Sequence, residues 1–106
     1  AYLMEGLKDR LFRHAITGDI RGKGLLIGIE LVTDRESKVQ LENSLVGGVV
    51  EFCKNRGVIV GRSGGGARHS NTIVLSPPLV ITRGECDTLI EVLDGALEDA
   101  AAKVRR

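Results

Sequence analysis

The sequence predicts an α+β two-layer sandwich, in which a small, mostly antiparallel sheet packs on helices. Three observations carry that expectation. Apolar residues recur at helical spacing in three separated stretches, short β-branched runs lie between them, and no internal repeat or low-complexity linker interrupts the order helix, strand, helix, strand, strand, helix. At 106 residues, 42% of them hydrophobic and 27% charged, the chain has the balance of a single folded domain (1–106) with a modest core.

Each element has its own signal. Leu3, Met4, Leu7 and Leu11 share one helical face while Glu5, Lys8, Asp9 and Arg10 fill the other, which predicts a first helix from about residue 1 to His14. The stretch TGDIRGKG breaks that period with three glycines. LLIGIELV follows as a strand whose continuous apolarity predicts burial on both faces, with Gly28 marking a bulge or a close approach by another backbone. After the polar connection TDRESKVQLEN, Leu45, Val49, Phe52, Cys53 and Arg56 predict a second helix stopped by Gly57. Gly47 and Gly48 each cost that helix about 1 kcal/mol relative to alanine, which implies tight packing against a neighbour. VIVG and TIVLS are two short strands on either side of a glycine-arginine loop. In the last helix Thr82 and Glu85 form a capping box, Ile81 can staple onto Cys86, and the buried stripe is Cys86, Leu89, Ile90, Leu93, Leu97 and Ala100.

Composition excludes several classes of function. Fifteen basic and 14 acidic residues leave a net charge of +1, too little for a field that gathers nucleic acid or membrane, and Tyr2, Phe12 and Phe52 are too scattered to stack bases. No apolar run approaches the roughly 20 residues of a membrane span, and no signal segment opens the chain, so the cytoplasm is the expected location. Cys53 and Cys86 lack metal-ligand spacing and lie on apolar helix faces, as buried thiols of a reducing compartment do. No metal site is expected. A chain that opens without Met and inside a helical pattern reads as a fragment of a longer protein.

Few side chains offer chemistry. Lys23 in RGKGLL leads into a strand, whereas a phosphate-binding loop needs a helix there, so it reads as a turn lysine, and Arg21 reads as a salt-bridging surface residue. His14 and His69 stand alone, without a nucleophile and orienting group to complete a triad; His14 closes a helix, where a cation suits the dipole. Glu30, inside the apolar strand, needs a partner if buried. The loop from Arg62 to Asn71 is different in kind: Gly64, Gly65 and Gly66 free the backbone, Arg62 and Arg68 supply guanidinium forks that match a carboxylate, and Ser63, Ser70 and Asn71 add short hydrogen-bonding groups.

Taken together, GDIRGKGLLIGIELV, NRGVIVGR and NTIVLSPPLVITRGECDTLIEVLDGAL resemble, in that order, the C-terminal small domain of class III (omega-type) aminotransferases, pyridoxal-phosphate-dependent enzymes of fold type I. The resemblance runs over essentially the whole chain. It implies a homodimer in which a large domain, upstream of anything present here, supplies the Schiff-base lysine, the aspartate facing the pyridine nitrogen and most phosphate contacts. This segment would then hold no catalytic or cofactor-binding residue of its own and would shape part of the substrate pocket, with the remainder of the chain as its partner. Lys23 falls in the hairpin region of the small domain and is not the missing lysine.

The implied reaction is ping-pong transamination from an amine or amino-acid donor to a keto acid such as pyruvate, with pyridoxal 5'-phosphate in the intact enzyme as the electron sink. Some members of the family hold the substrate carboxylate on an arginine two positions before a small-Pro-Pro triplet. Here the triplet is Ser76-Pro77-Pro78 and the matching position is Val74, which cannot pair with a carboxylate. Another subgroup uses a mobile arginine in the loop just upstream, and Arg62 is the nearer match to it, with Arg68 the second. A stand-alone binding or dimerisation module that kept the fold and lost the chemistry is the alternative.

Overall fold

The computed structural model describes residues 2–23, 26–37, 39–63, 71–77 and 81–104, with the backbone alone for Lys23 and Ser63. Its elements are α1 (Tyr2–Leu11), β1 (Thr17–Lys23), β2 (Leu26–Leu31), α2 (Asn43–Lys54), β3 (Gly61–Ser63), β4 (Thr72–Leu75) and α3 (Arg83–Val104). The strands form one sheet in the order β1-β2-β4-β3, and all three pairings are antiparallel. This is the expected α+β sandwich.

The core lies between one face of the sheet and the three helices. Ile20, Ile27, Ile29, Leu31, Ile73 and Leu75 point into it from the strands, and Leu3, Leu7, Leu11, Val46, Val49, Cys53, Ile90, Leu93 and Leu97 meet them from the helices. Both α1 and α2 pack on α3, which therefore holds the centre of the helical layer. The α3 capping box forms as the sequence predicts: Glu85 N–H donates to Thr82 Oγ1 at 3.1 Å, and Thr82 N–H donates to Glu85 Oε1 at 3.0 Å. Gly57 ends α2 with φ of 80°, and the following Val58 N–H reaches back to the Cys53 carbonyl at 2.9 Å, a Schellman closure.

Several expectations need correction. β1 is a strand although its sequence looks like a turn; it is an edge strand that buries little more than Thr17 and Ile20, so its apolar signal is weak. The bulge lies at Gly18, between the Thr17 and Asp19 pairings, and not at Gly28, whose register is regular. A Cβ at Gly28 would stand 3.3 Å from the Thr72 methyl group, so the close neighbour is mainly a side chain. β2 buries one face, with Leu26 exposed and Gly28 and Glu30 half-buried on the other. First-helix geometry stops at Leu11 because the buried Thr17 hydroxyl donates to the Leu11 carbonyl at 2.6 Å and the chain turns through His14.

The glycine pair of α2 is the clearest reversal. Nothing lies within 4 Å of a Cβ added at Gly47 or Gly48. Helices approach closely elsewhere: a Cβ at Gly6 of α1 would overlap the Ile90 Cδ1 of α3, and one at Gly95 of α3 would stand 3.2 Å from the Phe52 ring of α2. Arg56 is exposed, its guanidinium 3.5 Å from the Phe52 ring centroid. Finally, residues 58–60 precede the strand and do not form it; β3 begins at Gly61.

Candidate substrate-anion site

Arg62 lies in the edge strand β3, opposite Ile73 of β4, and not in the loop where the sequence places it. That register turns its side chain to the helix-covered side of the sheet, at the sheet's margin, where the guanidinium is exposed and donates to Asn43 Oδ1 at 2.6 Å. Asn43 is the first residue of α2. Arg68, with Gly64, Gly65, Gly66, His69 and Ser70, lies outside the described residues.

Asn71, expected to serve the loop, is structural. It is 7% exposed. Its backbone extends the β2–β4 ladder by accepting from Leu31 N–H at 2.9 Å, its side-chain amide donates to the Leu31 carbonyl at 2.7 Å, and Gln40 donates to its Oδ1 at 3.1 Å. A buried amide with its groups so occupied fixes the exit of the loop and leaves little for a substrate. Val74 pairs with Gly28 and Gly61 and is half-buried, with no means of holding an anion. Beside it, where the chain enters β3 and leaves β4, Gly57, Val58, Ile59, Leu75, Ser76, Pro77 and Leu89 line a cavity of about 210 Å³. Pro78 lies outside the described residues.

The remaining polar groups serve the fold. Arg21 pairs with Asp19 at 3.4 Å on the open face of β1, the surface salt bridge the sequence suggests. His14 does not stand alone: its Nε2 meets Asp94 Oδ1 at 2.7 Å, while Arg10 pairs with the other carboxylate oxygen at 2.8 Å. The cavity of about 360 Å³ around this pair is lined by Arg13, His14, Asp94, Glu98, Ala101 and Ala102, so no serine, cysteine or threonine stands ready to be activated. A further cavity of about 400 Å³ between α1 and α3 presents the carboxylates of Glu5, Asp9, Asp87 and Glu91 with Arg10, a lining unsuited to an anion. Cys53 and Cys86 are buried free thiols, and burial pushes the Cys53 pKa up to about 11, too high for a nucleophile near neutral pH. No described helix is long and apolar enough to cross a membrane.

Residues 1–97 match the family model for class III aminotransferases. The chain belongs to this family. It is 41% identical over 101 residues to a taurine–pyruvate aminotransferase of Rhodobacter capsulatus, covering 94% of this chain and 22% of that protein. A hypotaurine/taurine–pyruvate aminotransferase of Paracoccus denitrificans is 41% identical over 95 residues, or 89% of this chain and 21% of the relative. Among solved structures, a Bacillus anthracis aminotransferase superposes with a TM-score of 0.85 at 46% identity, covering 92% of this chain and 22% of that one. The chain thus spans about a fifth of the length of the aminotransferases it matches.

Membership implies pyridoxal 5'-phosphate in the intact enzyme. The described residues do not fit a cofactor site of their own: Lys8, Lys54 and Lys103 are exposed, and Lys103 is paired with Asp99 at 3.3 Å. The Lys23 side chain and Lys38 lie outside the description.

Proposed function

We propose that this chain is the C-terminal small domain of a pyridoxal-phosphate-dependent transaminase. The parent enzyme moves an amino group from an amine or amino-acid donor to a keto acid such as pyruvate. Within it, this segment shapes the substrate pocket and presents Arg62 to the substrate's anionic group, while the catalytic lysine belongs to the rest of the protein. The observation that carries the reaction class is the match to the family over residues 1–97. The relatives' names supply the substrate chemistry: taurine carries a sulfonate and pyruvate a carboxylate, both of which suit a guanidinium fork.

Arg62 favours this role over a merely structural one because its side chain is exposed at the sheet margin and its described partner is a neutral amide. It acts by orienting the substrate and transfers no proton. Arg68 is the second candidate for the same work. We place the parent protein in the cytoplasm as a homodimer, in keeping with the buried free thiols and the family resemblance.

The test is an assay of the full-length protein with pyruvate as acceptor and taurine, β-alanine and a simple arylalkylamine as donors. Formation of alanine with at least one donor, dependent on added pyridoxal phosphate after its removal, supports the reading. Failure to form alanine with all three would favour a non-catalytic module.

A further inference from the structure

We infer that Asn43 is a latch for Arg62: by holding the guanidinium in its resting position, it sets how strongly the enzyme favours anionic over uncharged substrates. This rests on the role proposed for Arg62.

The geometry starts from the register of β3. Because Arg62 pairs opposite the buried Ile73, its side chain leaves the sheet toward the helical layer and meets the first residue of α2, where it donates to Asn43 Oδ1 at 2.6 Å. That is at the short end for a nitrogen–oxygen hydrogen bond, a sign of the charge on the donor. Any substrate anion that engages Arg62 by moving its guanidinium must compete with this contact.

The chemistry of the contact makes it exchangeable. Asn43 offers a neutral carbonyl, and a carboxylate or sulfonate is the stronger partner for a guanidinium, able to accept two parallel hydrogen bonds. The resting position is also electrostatically poor, because the start of a helix carries partial positive charge and disfavours a nearby cation. The neighbouring carboxylate that could offset this, Glu42, makes no capping bond and accepts instead from Ser44 Oγ at 3.0 Å. Arg62 is exposed, so its side chain can leave without unfolding the sheet. An aspartate at position 43 would hold the cation far more firmly, and an alanine would not hold it at all.

A ligand shifts such an equilibrium only by its preference for one state, so weakening the latch must favour substrates that use Arg62 and leave the others unaffected. The experiment compares kcat/KM for β-alanine and for a carboxylate-free arylalkylamine in the full-length enzyme, with Asn43→Ala, Asn43→Asp, Arg62→Ala and the double variant Asn43→Ala/Arg62→Ala. The expected result is that Asn43→Ala raises the carboxylate-to-amine ratio about 3- to 10-fold and Asn43→Asp lowers it by a similar factor. In the Arg62→Ala background, Asn43→Ala should leave the ratio unchanged. If Arg62→Ala lowers the ratio but the two Asn43 variants leave it alone, or move it in the same direction, the latch is wrong and the role of Arg62 stands. If Arg62→Ala does not lower the ratio, the role of Arg62 fails and the latch fails with it. Equal thermal midpoints among the variants show that folding is not the cause, and aspartate at the start of a helix is a stabilising choice.

Discussion

His14 Nε2 and Asp94 Oδ1 meet at 2.7 Å across the seam between the turn after α1 and the middle of α3, and Arg10 closes on the other oxygen of the same carboxylate at 2.8 Å. The aspartate therefore ties α1 to the central helix. Burial works to raise its pKa, but the hydrogen bonds from His14 and Arg10 outweigh that and hold it below the usual carboxylate value.

A depressed folded-state pKa stabilises the fold above the unfolded value of about 4, and that stability is lost as pH falls through the folded value. Asp94→Asn should cost about 1 kcal/mol at pH 7, a modest figure because the side chain is still 24% exposed. The gap between wild type and variant should close as pH drops below about 4. Urea unfolding at pH 7 and near pH 3 checks this, and a gap that does not depend on pH would contradict it.

The glycines of the helical layer divide sharply. Gly47→Ala should stabilise the isolated chain by roughly 0.5 to 1 kcal/mol, since it removes backbone freedom and meets nothing within 4 Å. Gly95→Leu should destabilise by about 1 to 3 kcal/mol, because its Cβ alone would press on the Phe52 ring at 3.2 Å. Thermal melts of the two variants should move in opposite directions.

That division shows how far local sequence carries. The helices were legible from their apolar spacing, and the ends set by Gly57 and by the Thr82–Glu85 box were legible because local hydrogen bonds alone make them. β1 was not, because an edge strand with glycines at 18 and 22 depends on the ladder of β2. Gly47 and Gly48 gave the wrong cue for a related reason: a glycine records that something is close only once tertiary packing is known, and Gly6 and Gly95 hold the real crossings. For the site, Arg62 was found through family resemblance, while its strand register and its pairing with Asn43 depend on contacts between residues 19 apart. The buried role of Asn71 had no local signal, since its partners Leu31 and Gln40 lie 40 and 31 residues away.

Asn71→Ala should expose that role as a loss of stability. Removing the amide leaves the Leu31 carbonyl without its side-chain donor in a buried setting, which costs about 1 to 3 kcal/mol. Asn71→Asp should not rescue it, because a carboxylate cannot donate to a carbonyl. Chemical denaturation of the two variants tests the assignment; an Asn71→Ala chain as stable as wild type would return this residue to the list of candidate substrate contacts.

The 106-residue chain should also lack a cofactor site of its own. Treated with pyridoxal phosphate and then borohydride, its lysines should label weakly and without preference, as the exposure of Lys8, Lys54 and Lys103 leads one to expect. Mass spectrometry showing one stoichiometric, saturable adduct on a single lysine would overturn this.

The most direct test of the central claim is Arg62→Ala in the full-length enzyme, assayed on a keto-acid acceptor such as pyruvate and on a simple arylalkylamine donor. Loss of a charge-assisted pair whose partner remains desolvated costs about 2 to 5 kcal/mol, whereas an amine without a carboxylate never makes that pair. The variant should therefore lose kcat/KM for pyruvate by that amount and hold it for the amine half-reaction, with Arg68→Ala showing the weaker effect. Equal losses on both substrates, or none from either variant, would contradict the assignment of an anion-binding arginine to this domain.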